Sequence, residues 1–507
     1  MTLLLALGVV AVSGFISLSY EILWYRAIAF VSGGVPAAFG LLLGFYLIGL
    51  AIGAYASRAF CGDAAAHGDR RFLRYVAGFV LLANTVGFLV LPVLAWLATQ
   101  GSWAQALGLI AVASAMLGAV LPLVSHFAIP PDRLAGTHLS YLYSANIVGS
   151  VLGSFLTGFV LLDRFPLQTV ALLLILLGLL TTAALLALGR LPAAQVLVGC
   201  LALVALAGCA GKASTIGFDR FWEKLLFGPR ASVSPPFRDV VENRSGVITV
   251  TQDGTVYGSG VYDGRISTSL MNDRNKIERA YATAVLHPAP MQVLMIGLST
   301  GAWAQVIINN PQVEKLTVVE INPGYVGLIA KYPQVASLLS NPKLELIVDD
   351  GRRWLTRTER KFDLIVSNTP QHWREHTTNL LSVEYTRLVR EHLLRGGVYY
   401  FNTTWSTAAL KTVLTEFPYG VRYMSFVAVS PSPMGFDLEQ WRRVLRDYRI
   451  DGRPALDLTV PEQRERLEQL VTSPDVEFRD AALQRLASSG VITDDNMLAE
   501  WHPSVER

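Results

Sequence analysis

The hydrophobic pattern divides the chain into two halves. In the first 211 of its 507 residues, long apolar runs follow one another with only short polar breaks. A helix of about 20 apolar residues crosses the roughly 30 Å hydrocarbon core of a bilayer, and a series of such runs is too long for a signal peptide. The pattern therefore predicts about seven transmembrane helices, over residues 3–24, 37–56, 76–98, 105–128, 140–162, 168–189 and 193–211.

The pattern changes after residue 238. Period-two alternation over 239–268 predicts a small antiparallel sheet, with hairpin turns at Asp253-Gly254 and Asp263-Gly264. A helix is expected over about 275–286. From residue 293, short apolar runs alternate with helical stretches, which is typical of a parallel sheet covered by helices on both faces. The expected strands are 293–297, 316–321, 344–350, 363–368 and 397–403.

Charge separates the same two halves. Only 16% of the chain is charged, and residues 1–211 carry 13 of its 81 charged side chains. The rest of the chain has equal numbers of basic and acidic residues and no basic stripe, which argues against nucleic-acid binding. Cys61, Cys200 and Cys209 have no metal-ligand spacing, so no metal site is expected.

Small residues recur at four-residue spacing within the apolar runs. In lipid, such faces allow close helix packing, although glycine is common in membrane helices in any case. We expect packing within one bundle. The pairs are Gly40 and Gly44, Gly49 and Gly53, Gly149 and Gly153, and Ser154 and Gly158.

Few polar groups fall inside the predicted spans. Glu21 lies near the end of the first span, with Arg26 five residues on, and this spacing favours an ion pair at the membrane interface. A transporter would need several polar groups at mid-depth. Only Asn146 and His126 offer anything of that kind, so a transport function is the weaker alternative.

The expected strand ends carry a consistent set of polar residues. In a doubly wound sheet, ligands bind beyond the carboxyl ends of the strands. Gly297 and Gly301 flank the turn after the first strand, where glycine lets a ligand approach the backbone. Glu320 ends the second strand and can hold two ribose hydroxyls. Asp350 ends the third and can accept a hydrogen bond from an adenine amine. This order predicts an adenosine-containing ligand.

The motif order also carries a family resemblance. VLMIGLSTGA, VVEINP, VDDGRRWL and FDLIVS follow one another as in the spermidine synthase branch of the class I methyltransferase-like fold. SGFISLSYEILWYR, YSANIVGSVLGSFLTGF, NLLSVEY and ITDDN resemble bacterial proteins that fuse several spans to such a domain. The resemblance implies a multi-span α-helical membrane bundle plus an α/β, Rossmann-like domain with a small N-terminal β-sheet.

The same resemblance implies a domain plan. It consists of a transmembrane domain over 1–211, a linker with an interfacial-helix pattern over 212–238, a β-rich subdomain over 239–290, a nucleoside-binding domain over 291–410 and a partly helical extension over 411–507. The expected partners are the lipid bilayer and a small-molecule acceptor, with a homodimer left open. The expected location is the bacterial inner membrane. Nucleotide substrates favour a cytoplasmic soluble domain, whereas loop arginines with seven spans favour its export.

The resemblance assigns a site as well. The donor would be S-adenosylmethionine or its decarboxylated form, with no metal. The implied donor-binding residues are Gly297, Ser299, Thr300, Gly301, Glu320, Asn322, Asp349, Asp350, Gly351, Ser367 and Trp373. The implied catalytic residues are Asn368, His372 and Glu375.

The amine end of this site departs from the family pattern. In the soluble spermidine synthases that this chain resembles, an Asp lies in the glycine loop and an Asp-x-x-Asp follows the fourth strand. This chain has Thr300 and the segment Asn368-Thr369-Pro370-Gln371 instead. Asn322 stands where an Asp is usual and Thr283 where a Glu is common. An amide cannot act as a general base, so His372 and Glu375 become the candidates.

Three functions stay open at this stage. The favoured one is transfer of an aminopropyl or similar alkyl group with release of methylthioadenosine. The second is a methyltransferase or an S-adenosylmethionine-cleaving enzyme on the same fold. The third is a non-catalytic membrane transporter that senses a nucleoside. Tyr257, Tyr262 and Tyr281 are further candidates for the acceptor side.

Overall fold

The computed structural model describes residues 3–61, 73–189, 193–271, 273–368, 370–472 and 474–501. These residues form two compact units, Met1–Val247 and Ile248–Arg507. Each unit is described by itself below.

The first unit is built mainly from helices. Six of those described, α1 to α5 and α7, are long and apolar enough to cross a membrane, where seven spans were predicted. The seventh predicted run forms α8. Its backbone is described, whereas most side chains of its first two turns are not. The helices are α1 (Leu3–Ser32), α2 (Ala37–Ala56), α3 (Leu73–Thr99), α4 (Ala106–Ala128), α5 (Ala135–Leu156), α6 (Leu162–Arg164), α7 (Leu167–Leu188), α8 (Ala193–Gly217) and α9 (Phe221–Phe227).

Helix α1 is longer than the sequence pattern predicted. It continues past residue 24 to Ser32, because the first residues that favour a break are Gly33 and Gly34. Both have positive φ, 76° and 74°, a conformation that glycine adopts at little cost. The extension moves Glu21 from the end of a helix to its interior.

Glycines bring two pairs of helices into close contact. On α2, a Cβ added at Gly49 or Gly53 would overlap the backbone carbonyls of Ala111 and Ala115 on α4. Gly149 and Gly153 on α5 approach the backbone of α1 at Ala11 and Phe15 in the same way. The predicted packing function is confirmed for these two pairs. It is wrong for the others, since a Cβ at Gly40, Gly44 or Gly158 would meet no atom within 4 Å.

The predicted ion pair between Glu21 and Arg26 does not form. The Arg26 guanidinium instead donates to the carbonyl oxygens of Asn243 and Gly246, the latter at 2.6 Å. Both carbonyls lie in the segment that follows the helices of this unit. The charged guanidinium gains more free energy from two carbonyl oxygens within hydrogen-bond distance than from a carboxylate that lies farther away.

The amphipathic segment after α8 packs into the helical bundle. The Trp222 ring lies 4.7 Å from the Phe30 ring of α1, measured between centroids. Its indole N–H donates to Glu242 at 3.0 Å. The apolar face of α9 is thus buried within the first unit, which explains its hydrophobic pattern without a separate membrane-surface position.

A small sheet contains β1 (Asp239–Asn243), β2 (Gly246–Val250), β3 (Thr255–Gly258) and β4 (Val261–Arg265), in that order. The turn at Asp253-Gly254 is confirmed, because it joins β2 to β3. The turn predicted at Asp263-Gly264 is wrong, because both residues lie within β4. The β3–β4 turn is made by Ser259 and Gly260 instead, both at positive φ.

An eight-stranded sheet organises the second unit, in the order β14-β10-β11-β9-β8-β5-β6-β7. The five strands from β9 to β7 are parallel, as the sequence predicted. β11 pairs with β9 antiparallel, so residues beyond 410 extend the same sheet. The strands are β5 (Gln292–Ile296), β6 (Lys315–Glu320), β7 (Leu344–Val348), β8 (Phe362–Ser367), β9 (Leu393–Asn402), β10 (Tyr419–Tyr423), β11 (Phe426–Ser430) and β14 (Val476–Phe478), with β12 (Arg449–Ile450) and β13 (Arg453–Pro454) as a separate hairpin.

Helices cover the sheet and bury its apolar strands. Leu294, Ile365 and Tyr399, from three adjacent strands, belong to one core cluster with Val389 and Val413 of the covering helices. The helices are α10 (Glu278–Tyr281), α11 (Thr283–Leu286), α12 (Ala302–Ile308), α13 (Gly324–Ile329), α14 (Gly351–Leu355), α15 (Val383–Glu391), α16 (Thr407–Glu416), α17 (Leu438–Asp447), α18 (Pro461–Thr472), α19 (Arg479–Arg485) and α20 (Leu498–Trp501).

We expect Gly53→Ala to destabilise the first unit, because its Cβ would strike the Ala115 backbone of α4. Overpacking of this kind costs about 1–3 kcal/mol. Gly44→Ala on the same helix is the matched control, since its Cβ meets nothing, and alanine favours a helix. Thermal unfolding of the detergent-purified protein should show a lower Tm for Gly53→Ala only. Equal melting of both variants would contradict the close α2–α4 contact.

Candidate active site

The turn after β5 is shaped by left-handed backbone conformations. Gly297, Ser299 and Gly301 have φ of 89°, 46° and 73°. A Cβ at Gly297 would lie 3.3 Å from the Asn368 carbonyl oxygen, and one at Gly301 would lie 2.7 Å from the Ile329 side chain. The turn therefore needs glycine both for its backbone angles and for close approach of neighbouring segments.

Glu320, at the end of β6, holds this turn in place. One carboxylate oxygen accepts from the Leu298 N–H and the other from the Asn322 N–H, each at 2.7 Å. The residue is only 4% exposed. Burial raises the pKa of Glu320 to about 7, and the backbone N–H donors oppose that rise. Asn322 in turn accepts from the Gly324 N–H at 2.9 Å and so starts α13.

The side chain of Thr300 closes the glycine turn with a local hydrogen bond. Thr300 Oγ1 accepts from the Ala302 N–H at 3.3 Å, at the start of α12. Thr300 is only 3% exposed, so its side chain is buried beside the start of α12. The hydroxyl supplies a local hydrogen bond and no negative charge.

The end of β7 carries both predicted acids. Asp350 caps α14 by accepting from the Arg353 N–H at 2.7 Å. Asp349 accepts from Arg353 Nε at 2.7 Å, and this guanidinium contact lowers the pKa of Asp349. A Cβ at Gly351 would come within 2.5 Å of Ile296, so glycine lets α14 begin beside the end of β5.

Of the predicted site residues at the end of β8, one lies in the core and one lies at the edge of the sheet. Ser367 is fully buried, and its hydroxyl lies 3.5 Å from the Tyr385 hydroxyl, directed into the core. Asn368 lies at the strand end, where its N–H donates to the Ile296 carbonyl at 3.2 Å. Its side-chain oxygen accepts from Asn402 at 3.3 Å. Asn368 thus joins the ends of β5, β8 and β9.

The loop after β8 places His372 against the end of β9. His372 Nδ1 lies 2.8 Å from Thr404 Oγ1, and its backbone N–H donates to the same oxygen at 3.1 Å. Thr404 and Trp405 are two successive residues at positive φ, 50° and 68°. Strained, non-glycine backbone of this kind is concentrated at functional sites. Trp373 and Glu375 are half-buried on the same loop as His372.

The sequence pattern missed Asp263, which was assigned to a turn. Its carbonyl accepts from Ser299 Oγ, and its carboxylate accepts from the Tyr325 hydroxyl. Burial raises the pKa of Asp263, while these hydrogen bonds and the charge of Arg374 oppose the rise. β4 thus brings a second, half-buried carboxyl to the glycine turn, close enough for its charge to affect Glu320. An Asp-Gly pair is a strong turn signal, and no local pattern distinguishes this one.

Of the three candidate tyrosines, one belongs to the core and two lie on the small sheet. Tyr281 is buried, with its hydroxyl donating to the Thr268 carbonyl at 2.7 Å and its ring against Tyr448, so it supports the core. Tyr257 and Tyr262 pack edge to face on the small sheet, 6.2 Å between ring centroids. Tyr262 donates to Asn275 at 2.6 Å. Tyr257 and Tyr262 therefore remain the candidates for the acceptor side.

Comparison with known proteins shows a similarity that lies within the second unit. Residues 280–418 match the spermine/spermidine synthase domain. A polyamine aminopropyltransferase of Desulforudis audaxviator is 27% identical over 183 residues, which cover 34% of this chain and 66% of that protein. The chain thus spans less than two thirds of the length of this relative.

Longer similarities reach into the helical unit. Polyamine aminopropyltransferase 2 of Ralstonia nicotianae is 26% identical over 429 residues, covering 79% of this chain and 78% of the relative. This stretch is longer than the whole second unit, so it includes part of the first. The crystal structure of spermidine synthase from Thermotoga maritima matches 43% of this chain and 82% of its own, with 18% identity and a TM-score of 0.32.

We expect nucleoside affinity to depend on the protonation of Glu320. An ionised carboxylate accepts hydrogen bonds from ribose hydroxyls better than the neutral acid does. Because the pKa lies at about 7, methylthioadenosine should bind about tenfold more weakly at pH 6 than at pH 8. Calorimetry on the purified protein measures this dependence.

Two variants control the measurement. Glu320→Gln should bind weakly with no rise in affinity through pH 7. Glu314→Gln, which removes a carboxylate that precedes β6 rather than ending it, should retain the wild-type profile. An affinity of the wild-type protein that stays constant between pH 6 and 8 would exclude Glu320 from the ribose contact.

Proposed function

We propose that this chain, whose residues 280–418 match the spermine/spermidine synthase domain, is a membrane-anchored transferase of the aminopropyltransferase type. It takes S-adenosylmethionine or its decarboxylated form and transfers an aminopropyl or similar alkyl group to a small-molecule acceptor, with release of methylthioadenosine. The observation that carries the proposal is the Glu320 carboxylate at the glycine turn, beside the Asp349-Asp350 strand end.

These strand ends support binding of an adenosine group in one orientation. Glu320 ends β6 and Asp350 ends the neighbouring strand β7, so a ligand with its ribose over Glu320 can reach Asp350 with its adenine. The glycine turn lies at β5, on the other side of β6. The sulfur and the group to be transferred would therefore point toward β8, where Asn368 and His372 lie.

The chemistry at that end is a nucleophilic substitution. A lone pair of the acceptor attacks the carbon bound to the sulfonium, and the carbon–sulfur bond breaks. The bonding electrons go to sulfur, which leaves as the neutral thioether methylthioadenosine. The acceptor releases one proton, and His372 is suited to take it near neutral pH. Thr404 at Nδ1 orients the ring for this role.

The acceptor end favours a molecule with little positive charge. A polyamine with several charges would be held by carboxylates, as charge-assisted pairing requires. Of the described carboxyls at the glycine turn, Glu320 is buried and Asp263 is half-buried, and both already accept hydrogen bonds. Asn368, His372 and Thr404 offer polar groups without a carboxylate instead. S-adenosylmethionine itself remains a donor candidate, because no acid of the glycine turn selects an aminopropyl amine.

We place the second unit in the cytoplasm. The carbonyls of Asn243 and Gly246, just before the second unit, accept from Arg26 in the carboxyl-terminal part of α1, and the Leu167 N–H after α6 donates to Glu242. A cytoplasmic second unit therefore puts this end of the bundle inside and the amino terminus outside, with α8 as a further crossing after the six long helices of the described residues. Intracellular nucleotide substrates favour this placement, whereas the arginines of the α2–α3 and α4–α5 loops then lie outside, against the positive-inside rule.

A reporter fused to the carboxyl terminus tests this placement. Green fluorescent protein should fluoresce there, and alkaline phosphatase should be inactive, because the first requires the cytoplasm and the second the periplasm. A fusion after Arg133, between α4 and α5, is the control and should give the opposite result. Active phosphatase at the carboxyl terminus would contradict the cytoplasmic placement.

Product analysis tests the reaction class. We expect purified protein incubated with S-adenosylmethionine or decarboxylated S-adenosylmethionine to release methylthioadenosine, detected by mass spectrometry. His372→Ala should lower this turnover at least 100-fold, the usual minimum for general base catalysis, without changing nucleoside affinity. His376→Asn, an exposed position on the same loop that tolerates positive φ, is the control.

Each other outcome has a defined meaning. S-adenosylhomocysteine would indicate methyl transfer in place of alkyl transfer. Binding without any product would favour a nucleoside sensor. Full activity of His372→Ala would remove His372 from the proton transfer while leaving the reaction class intact.

A further inference from the structure

One ionisable side chain of the first unit has no role in the strand-end site. Glu21 lies on α1, 18 residues after its first residue and 11 before its last. The side chain is 9% exposed. An ionisable residue inside an apolar bundle is expensive to bury and is usually retained for function.

Two hydroxyl side chains lie beside Glu21. Ser17 precedes it by four residues on α1, which places both on one face of the helix. Ser17 Oγ and the Tyr46 hydroxyl of α2 are hydrogen-bonded at 2.6 Å. Tyr46 also interacts electrostatically with Glu21. Ser17 and Tyr46 are 6% and 4% exposed, so the three side chains form a buried polar cluster between α1 and α2.

The cluster lies at mid-depth of the bundle. Helix α2 has 20 residues, and Tyr46 is the tenth. At 1.5 Å per residue, Tyr46 is therefore about 15 Å from either end of a helix whose length matches the hydrocarbon core. If α2 spans the membrane as proposed above, Glu21, Ser17 and Tyr46 lie near the bilayer centre, where water and mobile ions are scarce.

The protein provides no counter-charge to Glu21 at this depth in its described part. Arg26, the cation nearest in sequence, is bound to the carbonyls of Asn243 and Gly246. Within the described residues no hydrogen bond or ion pair reaches the Glu21 carboxylate. A largely buried carboxylate without a partner is unfavourable, and the residue keeps 9% of its surface exposed, so a positive group from outside the protein can reach it and relieve this cost.

The available atoms define the chemistry of that group. A primary ammonium has three N–H donors, and the cluster presents acceptor oxygens from a carboxylate, a phenol and a hydroxyl. In the Ser17–Tyr46 hydrogen bond, one hydroxyl donates its hydrogen to the other. Each of the two oxygens keeps at least one lone pair that can accept a further hydrogen bond. A single negative charge matches one ammonium charge, whereas a divalent ion would remain half neutralised. We infer that Glu21, Tyr46 and Ser17 form a binding site in the helical bundle for one primary ammonium group.

Equilibrium binding of radiolabelled butylamine to the full-length, detergent-purified protein tests this inference. We expect saturable binding that Glu21→Gln weakens at least tenfold. Tyr46→Phe keeps the ring and loses one oxygen, so it should weaken binding by a smaller factor, about threefold to tenfold. Tetraethylammonium, which has no N–H donor, should not compete. Because these substitutions lie in the helical unit, their effect separates this site from the strand-end site.

The control is Glu223→Gln, a buried glutamate of the same unit that already accepts from the Phe237 N–H at 2.9 Å. It should bind butylamine like the wild type. Undiminished binding by Glu21→Gln, or equal competition by tetraethylammonium, would overturn the inference. Should Glu21→Gln fail to elute as a folded protein, Tyr46→Phe and Ser17→Ala decide by the same criterion, and wild-type affinity of both would overturn it.

Discussion

The second unit depends on one buried carboxylate. Glu320 accepts two backbone N–H groups, one from the turn after β5 and one from the start of the segment after β6. It thereby fixes two neighbouring strand ends against each other. Its burial raises the energetic cost of its charge, and the backbone donors offset part of that cost. The glycines around it allow this approach, because a side chain at Gly301 would meet Ile329.

The same edge of the sheet separates two kinds of chemistry. On the β6–β7 side, acidic side chains accept hydrogen bonds from backbone and guanidinium groups. On the β8–β9 side, Asn368, Asn402, His372 and Thr404 form a polar network without a carboxylate. The function proposed above combines a donor bound through its nucleoside with an acceptor unlike a polyamine. Fold similarity alone does not decide the reaction, because function resides in the site.

The helical unit follows a different physical rule. In an apolar solvent, helices gain little from burying leucine against leucine, so close backbone contact at glycine replaces it. Gly53 against α4 and Gly149 against α1 make such contacts. A few buried polar side chains of this unit are exceptions to this rule. Arg26 satisfies backbone carbonyls, and Tyr46 pairs with Ser17, whereas Glu21 has no such partner among the described residues.

The sequence by itself determined the elements and their order, because each signal is local. Apolar length predicted the long helices, and short buried runs predicted β5 to β9 within a few residues. Tertiary structure decided what depends on distant parts of the chain. Asp263 belongs to a strand because β3 pairs with β4, and Ser367 turns inward because Tyr385 lies behind it. Arg26 leaves Glu21 because carbonyls more than 200 residues later lie closer. Such contacts join segments that no local pattern connects, so only the folded chain reveals them.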